Sequence, residues 1–595
     1  MARSTFSGLN TVVRGITNNQ LSLDTVGHNI ANADTEGYSR QRVNSAATRA
    51  LDQYGMYGKM YLGTGVDAES ITRARDVYAD RQYWLENATN SYYAAQQKNY
   101  QKVQSVFNDS NNNGILDSLQ KFYQSWQSAS DNASNSSARI GVVEQGKQFA
   151  EHLRDAASGL STQINEVYRD FTADVDKVNS LTDQIVNLNK NIAVAEASGG
   201  MANDLRDQRD LLTDQLSGYI SLNVYTNPVN GMYQIVSNGA SLVNGVSKLN
   251  LQLAGPTNNP VYGVNDYSLI IQDTRTPFQP GNGTLQSHLD SIATDKGYID
   301  NLASMGAYMM SSLNAVHRMG AGIDANNTTD LNFYGDSDRI YVWDNDKQTL
   351  FSSAYTHTST TANGVTTSTD TLDNTDQQAL QGIEILAAMQ VNTELTANDG
   401  EKKLALRGFG ANGNPNPAHV VNGNAVVDNQ YQWTNFQFPA ANATGANNVV
   451  QGTLTHTYQN MNGTADNSIG EIIGSLFNME QPTITSRGAN GIYSANNGAI
   501  SFTRPIGTQS LNSYYNVTVS ALGFNAEAMN NHVTYQQDVM VQIENWRTSI
   551  DGVNWNEELS NMIKFQKGYS ASARCLTTMD EMLDRLINST GMVGR

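Results

Sequence analysis

The stretch Leu9–Ile30, LNTVVRGITNNQLSLDTVGHNI, has a regular apolar pattern that decides how the chain is organised. Its apolar residues, with Asn19 filling one gap, follow one another at alternating steps of three and four. Such steps place side chains along one face of an α-helix and are typical of a coiled-coil seam. We therefore predict an N-terminal helix with a single seam, formed by Leu9, Val12, Ile16, Asn19, Leu23, Val26 and Ile30.

The last forty residues carry a second seam with the same steps. An ordinary amphipathic helix on a globular core would show a similar pattern, because three or four heptads are the minimum for recognising a coiled coil. Two matching seams at opposite ends favour a coiled coil, since helices this short are marginal alone in water. One small polar residue in each seam, Asn19 or Ser572, would fix the register at some cost in stability. The second seam consists of Met562, Phe565, Tyr569, Ser572, Leu576, Met579, Leu583 and Leu586.

Between the seams, helical periodicity alternates with strand periodicity. Asn230 and Gly231 form a strong hairpin signal within a stretch of period two. Farther along, the composition shifts to Asn, Thr and Gly, which predicts a separate β domain with poorly ordered loops near 358–371. The periodicity predicts helices over 71–107, 138–157, 162–197 and 285–317, and strands over 222–253 and 339–343.

These patterns predict a nested α+β multidomain fold, in which the terminal coiled-coil helices pair with each other. A long helical bundle with a β subdomain follows, and an outer β-rich domain is inserted into it. The expected units are an N-terminal helix and linker (1–45), a helical domain (46–320) with its β subdomain at about 220–280, an outer insertion (321–509), a return helix (510–554) and a C-terminal helix (555–595).

Composition excludes several classes of function. Asp and Glu total 56 against 37 Lys and Arg, and the resulting net charge of −19 repels a phosphate backbone, so we expect no nucleic-acid partner. The single cysteine, Cys575, cannot close an intrachain disulfide. No window approaches the ~20 apolar residues that span a bilayer, so we expect no membrane insertion. The first residues lack the apolar core of a secretory peptide, so any export would use a route without a cleaved one.

Three patterns could indicate a cofactor or metal, and we discount each. Residues 408–413 fit G-x-G-x-x-G, but the prolines that follow predict a turn rather than the helix that a dinucleotide needs. Residues 109–120 resemble a calcium loop, yet Gln120 stands where a bidentate Glu completes the shell, so any calcium binding would be weak. The eight histidines are scattered. We therefore predict no enzymatic activity and no catalytic residue, cofactor or metal ligand.

Several stretches resemble one protein family. Residues 21–42, LSLDTVGHNIANADTEGYSRQR, look like the N-terminal signature of flagellar rod, hook and hook-associated proteins. The C-terminal stretches 552–559, 565–573 and 579–583 are similar to the hook-associated members, which join the hook to the filament. The charged stretch 204–210, DLRDQRD, agrees with them. The resemblance covers roughly residues 1–320 and 510–595, and the middle of the chain shows no pattern of the family.

The resemblance implies a structural protein of the flagellar axis, secreted unfolded through the flagellar export apparatus into the extracellular flagellum. It implies that the two seams are self-assembly surfaces, which become ordered only when subunits pack as a homo-oligomer. Its implied partners are the hook protein, a second hook–filament junction protein and a flagellar export chaperone. An alternative remains open at this point, namely a surface-displayed adhesin or hydrolase whose activity lies in the middle β domain.

Overall fold

The structure, a computed structural model, has long helices at both ends and in the centre, with small antiparallel sheets between them. The fold class is therefore the predicted one, an α+β multidomain chain. The described residues are 6–55, 58–107, 114–197, 199–228, 230–318, 331–344, 347–362, 365–407, 467–478 and 509–589, with short pieces at 320, 322–323, 420–421, 424–425, 453–458, 483–484, 500–501 and 506–507.

The helices vary in length from four residues to 61. A π-helical turn, Met309–Leu313, joins α6 to α7, and a 3-10 turn, Gly400–Lys403, follows α9. The α-helices are α1 Phe6–Ala31, α2 Val77–Phe107, α3 Ile115–Asp131, α4 Ser136–Glu196, α5 Asn203–Ser217, α6 Thr284–Tyr308, α7 Asn314–His317, α8 Ile383–Ala388, α9 Thr393–Thr396, α10 Ser468–Leu476, α11 Leu511–Asp551 and α12 Trp555–Ser589.

All paired strands among the described residues are antiparallel. The largest sheets have four strands, in the orders β5-β6-β7-β8 and β11-β12-β13-β16. The strands are β1 Gln41–Ala47, β2 Leu51–Gly55, β3 Gly58–Leu62, β4 Val66–Arg73, β5 Asn223–Thr226, β6 Tyr233–Ser237, β7 Ala240–Asn244, β8 Ser247–Lys248, β9 Leu251–Asn259, β10 Val264–Ile271, β11 Arg339–Asp344, β12 Thr349–Ala362, β13 Val365–Leu380, β14 Val420–Val421, β15 Asn424–Ala425, β16 Thr453–Tyr458, β17 Thr483–Ile484 and β18 Ile500–Ser501.

The central helix α4 is unbroken, although the sequence predicted two helices separated between residues 157 and 162. Leu160 is fully buried and continues the apolar stripe across that point. Gly159 also lies inside the helix, where an added Cβ would come within 3.1 Å of Val106 in α2. A glycine here permits the two helices to approach closely, and the packing outweighs its low helix propensity.

The predicted helix start at Ile71 is wrong. Ile71 lies in β4, where it pairs with Val43 of β1, so the backbone there is committed to a strand ladder. The helix α2 begins at Val77, and the Asp76 carboxylate accepts a hydrogen bond from the Tyr78 backbone N–H at 2.8 Å. Such a carboxylate satisfies one of the free donors at a helix start.

Two asparagine side chains of α4 hold the β subdomain, because each forms hydrogen bonds with both the N–H and the carbonyl of one backbone residue. The Asn179 side chain accepts from the Leu251 N–H at 2.9 Å and donates to the Leu251 carbonyl at 2.8 Å. Asn189 does the same with Tyr233. An amide that both accepts and donates reproduces the pairing of a strand, and it leaves no buried backbone group unsatisfied.

The interpretation of residues 358–371 as loops is also wrong. Most of this stretch belongs to β12 and β13, which pair as a long hairpin with Thr358 opposite Thr369 and Thr360 opposite Thr367. Threonine is β-branched and favours extended backbone, so a polar threonine-rich stretch can still form strands. Low hydrophobicity was therefore a misleading signal for disorder here.

The outer insertion is fixed to the helical body by buried polar residues. Asn314 of α7 accepts hydrogen bonds from the N–H groups of both Phe333 and Tyr334 at 2.9 Å. The buried His317 side chain accepts a hydrogen bond from the Ala405 N–H, and Arg139 of α4 donates to the Leu404 carbonyl. Burial lowers the pKa of His317 to about 4, so its ring is neutral at physiological pH. The root of the outer domain is thus built from specific hydrogen bonds.

One buried carboxyl in the helical body is poorly satisfied. Asp295 of α6 is fully buried, and its Oδ1 accepts a hydrogen bond from the Asn99 amide at 2.9 Å. Its Oδ2 has no hydrogen-bond partner among the described residues. Burial raises the pKa of Asp295 to about 7, and the amides of Asn99 and Gln163 oppose that shift only in part. The folded protein therefore binds a proton at this site more tightly than the unfolded chain does.

We predict that Asp295→Asn stabilises the protein at pH 8 by about 1–3 kcal/mol and has little effect at pH 5. Because the folded-state pKa is raised, wild-type stability at this site is gained as the pH falls through about 7. Thermal unfolding of both proteins across this range measures the difference, with Asp176→Asn on the exposed side of α4 as control. Equal destabilisation by Asp295→Asn at both pH values would contradict the prediction.

Candidate self-assembly site

The two ends of the chain meet as an antiparallel pair of helices. An added Cβ on Gly8 of α1 would lie 3.2 Å from Met579 of α12, and one on Gly15 would lie 3.6 Å from Ser572. Residue numbers thus increase along α1 as they decrease along α12. Glycines at these positions keep the helices close, and the pairing requires both termini at once.

Of the predicted seam residues, Asn19, Ser572 and Met579 lie at the contact between these two helices, and few members of either seam are fully covered. Val26 is buried, with 4% of its surface exposed. Tyr569 is 39% exposed, and Gly568 faces Asn19 instead. Leu586 lies within α12, but its side chain is outside the described set. The half-buried members are Leu9, Val12, Ile16, Asn19, Leu23, Ile30, Met562, Phe565, Ser572, Leu576, Met579 and Leu583.

Asn19 has a specific place in the seam. Its amide donates to the Gly15 carbonyl at 2.9 Å, one turn earlier in the same helix. A Cβ added to Gly568 would meet the Asn19 amide oxygen at 2.9 Å, so the Asn19 side chain packs directly on the backbone of α12 here. A polar residue at a close crossing point disfavours shifted registers, because a shift would place the amide against an apolar residue.

A few apolar side chains on the outer sides of the helix pair are open to solvent. Val13 of α1 is 42% exposed, and Leu559 and Ile563 of α12 are 46% and 54% exposed. A two-helix coil covers only one stripe of each helix, so such residues have no partner within the pair. These side chains are available for contacts outside the pair.

A buried polar joint fixes the coil at the end of α1. The Asn29 amide donates to Glu558 Oε2 at 3.1 Å and to the Gln41 carbonyl at 2.8 Å, while its oxygen accepts from the Gln41 N–H. Arg40 donates to Glu558 Oε1 at 2.8 Å and to Glu557 at 2.7 Å. Asn29 and Glu558 are each 1% exposed. Glu558 therefore accepts donors from two different parts of the N-terminal segment.

The short helix α5 supplies a row of carboxylates that hold the linker beyond the coil. The amide of Gln41 donates to Asp204 at 2.8 Å, and the Ser39 N–H donates to Asp207 at 3.1 Å. Arg73 of β4 donates to both Asp207 and Asp210 at 2.7 Å. These carboxylates are three residues apart, so they share one face of α5.

A fourth carboxylate of α5, Asp214, contacts the long helices α2 and α11. Asp214 accepts hydrogen bonds from Arg547 of α11 at 2.8 Å and from the Trp84 ring N–H of α2 at 2.6 Å. Burial of Asp210 disfavours its charged form, but Arg75 and Arg73 outweigh this cost and lower the pKa of its carboxyl. The joint thus connects the terminal coil, the linker strands and the helical body through buried ion pairs.

Sequence reasoning missed most of this joint. It identified DLRDQRD at 204–210 as a marker of the family but assigned it no contact. The spacing of Asp204, Asp207, Asp210 and Asp214 was a usable signal, because steps of three and four place all four on one helical face. The role of Glu558 had no comparable signal, since its partner Asn29 lies 529 residues away in the sequence.

The described residues show no cluster of metal ligands. They contain no group of three or more His, Cys, Asp or Glu side chains placed to hold a metal ion. Asp117 of the calcium-like stretch forms an ion pair with Lys121 at 2.6 Å in the first turns of α3, and residues 109–113 of that stretch lie outside the described residues. The G-x-G-x-x-G stretch at 408–413 also lies outside them. None of the described helices is long and apolar enough to cross a membrane.

Comparison with protein families gives three matches. Residues 9–38 match the family described as flagella basal body rod protein, and residues 549–589 match flagellar basal body rod FlgEFG protein C-terminal. Residues 100–334 match flagellar hook-associated protein FlgK helical domain. The two terminal matches cover most of the coil together with Asn29 and Glu558, and they place the chain in the class of flagellar axial proteins.

Full-length relatives narrow that class. Flagellar hook-associated protein 1 of Bacillus subtilis is 27% identical over 595 residues, covering 100% of both chains. The protein of the same name from Salmonella typhimurium is 24% identical over 596 residues, covering 98% of this chain and 99% of that one. The chain is therefore similar to flagellar hook-associated protein 1 over its whole length.

A solved structure shares the fold. The flagellar hook junction protein FlgK from Burkholderia pseudomallei aligns with a TM-score of 0.52 and 16% identity, over 79% of this chain and 100% of that one. The full-length relatives give no support to the alternative of an adhesin or hydrolase in the middle domain.

We predict that Glu558→Ala lowers the amount of the protein recovered in isolated flagella by tenfold or more. The change leaves the buried donors of Asn29 and Arg40 without their acceptor, a loss of about 1.5–3 kcal/mol. Quantitative immunoblotting measures recovery. Glu557→Ala is the matched control, because Glu557 is 55% exposed and its pair with Arg40 is worth little. Equal losses for both variants would contradict the assignment of Glu558 as the anchor.

Proposed function

We propose that this chain is a structural protein of the bacterial flagellum that joins the hook to the filament, as a ring of identical subunits assembled through the terminal helices. The observation that carries the proposal is the antiparallel pair of α1 and α12, whose seams are only half covered by each other. Val26 alone among the predicted seam residues with described side chains is fully buried. Neighbouring subunits would cover the remaining apolar surface.

The proposal accounts for the polarity of the joint. Folding of the coil buries Glu558, Asn29 and part of Arg40, and removal of charged groups from water is costly. In a lone coil, only the apolar burial between two helices offsets this cost. In a coil surrounded by neighbouring subunits, the apolar contacts with those subunits offset it as well. Ordering of the ends therefore depends on assembly, which suits a chain exported unfolded through a narrow channel.

The partners follow from this position in the axis. We propose that the hook protein lies on one side of the ring and a second hook–filament junction protein on the other, and that an export chaperone binds the unassembled chain. The location would then be the extracellular flagellum. A non-enzymatic role fits these contacts, and the homologues are structural flagellar proteins.

We predict that Leu23→Asp or Leu576→Asp abolishes incorporation into flagella while leaving the helical and outer domains folded. Each change puts a charge into the apolar seam, whereas Gln20→Asp, on the exposed side of α1, should be tolerated. Recovery in isolated flagella and thermal unfolding of the purified variants are the two measurements. Unfolding of the whole protein by the seam variants would show that the seams belong to an ordinary core.

Amide hydrogen exchange on the purified monomer tests the coupling of order to assembly. We expect α1 and α12 to exchange at nearly the rates of unfolded peptides, because the isolated pair buries little surface. The buried α4 and α6 should be protected in the same sample and serve as the internal control. Strong protection of both terminal helices in a monomer would contradict the proposed mechanism.

A further inference from the structure

The first half of α11 presents an uncharged surface in a strongly acidic protein. Residues 505–526 contain no Asp, Glu, Lys or Arg, whereas charged residues make up 16% of the whole chain. Leu511, Tyr515 and Leu522 of this segment are buried against the helical body. The other side of the helix faces solvent without the charges that normally cover a soluble surface.

This exposed side forms a shallow groove of about 640 Å³. Phe524 is 72% exposed and Val517 is 52% exposed, so both apolar side chains lie open along it. Small residues between and beside them leave room for a close helix. We call this surface the neutral α11 face; it consists of Ser513, Asn516, Val517, Ser520, Ala521 and Phe524.

The neutral α11 face has the properties of a helix-docking surface. Small side chains permit an approaching helix to reach an interaxial distance of about 8–10 Å. Depletion of charge and enrichment in aromatic residues distinguish the centre of protein interfaces from other surface. Phe524 exposes 72% of its surface to water. Burial of this apolar surface in a contact would be favourable.

Charge indicates what kind of partner covers the face. A basic partner would be matched by carboxylates around its contact, and this segment has none. A second copy of the chain carries the same net charge of −19, and a contact free of charged residues avoids local repulsion between two such copies. A neutral contact face is thus the arrangement expected between copies of an acidic protein.

The direct connection between α11 and α12 also favours a second copy of the chain as the partner. Only residues 552–554 separate α11 from α12, so α11 continues directly from the terminal coil. Coils packed side by side in a ring would therefore bring the α11 helices of neighbouring subunits next to one another's helical domains. We propose that the neutral α11 face is a lateral contact between neighbouring copies of this chain, an inference that rests on the proposed ring.

Photo-crosslinking in isolated flagella tests the contact directly. With p-benzoylphenylalanine at position 524, we expect a cross-linked species of twice the 64.8 kDa chain mass, containing peptides of this chain alone. The same probe at Val194, which is equally exposed on α4, is the control and should give at most a weak product. A product with a different protein, or no product above the control, overturns the proposal.

A variant separates this proposal from the proposed function. We expect Phe524→Asp to lower recovery in flagella by fivefold or more with unchanged thermal unfolding, and Val194→Asp to have no effect. If Phe524→Asp is recovered normally while Leu23→Asp is lost, the α11 contact is wrong and the ring through the terminal helices stands. If Leu23→Asp is also recovered normally, the proposed function itself fails.

Discussion

Glu558 is buried where the first and last helices of the chain meet, and the rest of the assembly site depends on its partners. Asn29 and Arg40 both donate to its carboxylate, so the charge is stabilised only when the N-terminal segment is in place. A buried carboxylate without donors is costly. The N-terminal segment that buries Glu558 thus also supplies the donors that compensate its charge.

The joint also determines how firmly the coil is held on the body of the protein. The carboxylates of α5 bind the linker through Ser39 and Gln41, strand β4 through Arg73, and the return helix through Arg547. Three elements distant in the sequence thus share one short helix. Ion pairs of fixed geometry favour one orientation of the coil over others, which is the property required of a subunit in an ordered array.

Periodicity in the sequence was sufficient to predict the terminal helices, their pairing and the α+β fold class, because each depends on a repeated local pattern. It failed where long-range packing overrides local preference, as at Gly159 inside α4 and at Ile71 in β4. It also misplaced Tyr569, since contact with Asn19 through Gly568 shifts the seam by one residue. The hydrogen bonds of Glu558 could not be predicted, because no local sequence pattern indicates a partner at the other end of the chain. The domain boundaries stay predictions.

Helix α4 links the joint to the outer domain as one rod. Arg209 of α5 donates to Asn189 near one end of α4, and Arg139 near the other end holds the root of the outer domain. Fifty residues of continuous helix span about 75 Å. A tilt of about 5° at the joint would therefore swing the outer domain by about 6–7 Å, given that rod length. Small angular adjustments between neighbours in a bending axis are thereby amplified into large radial displacements at the periphery.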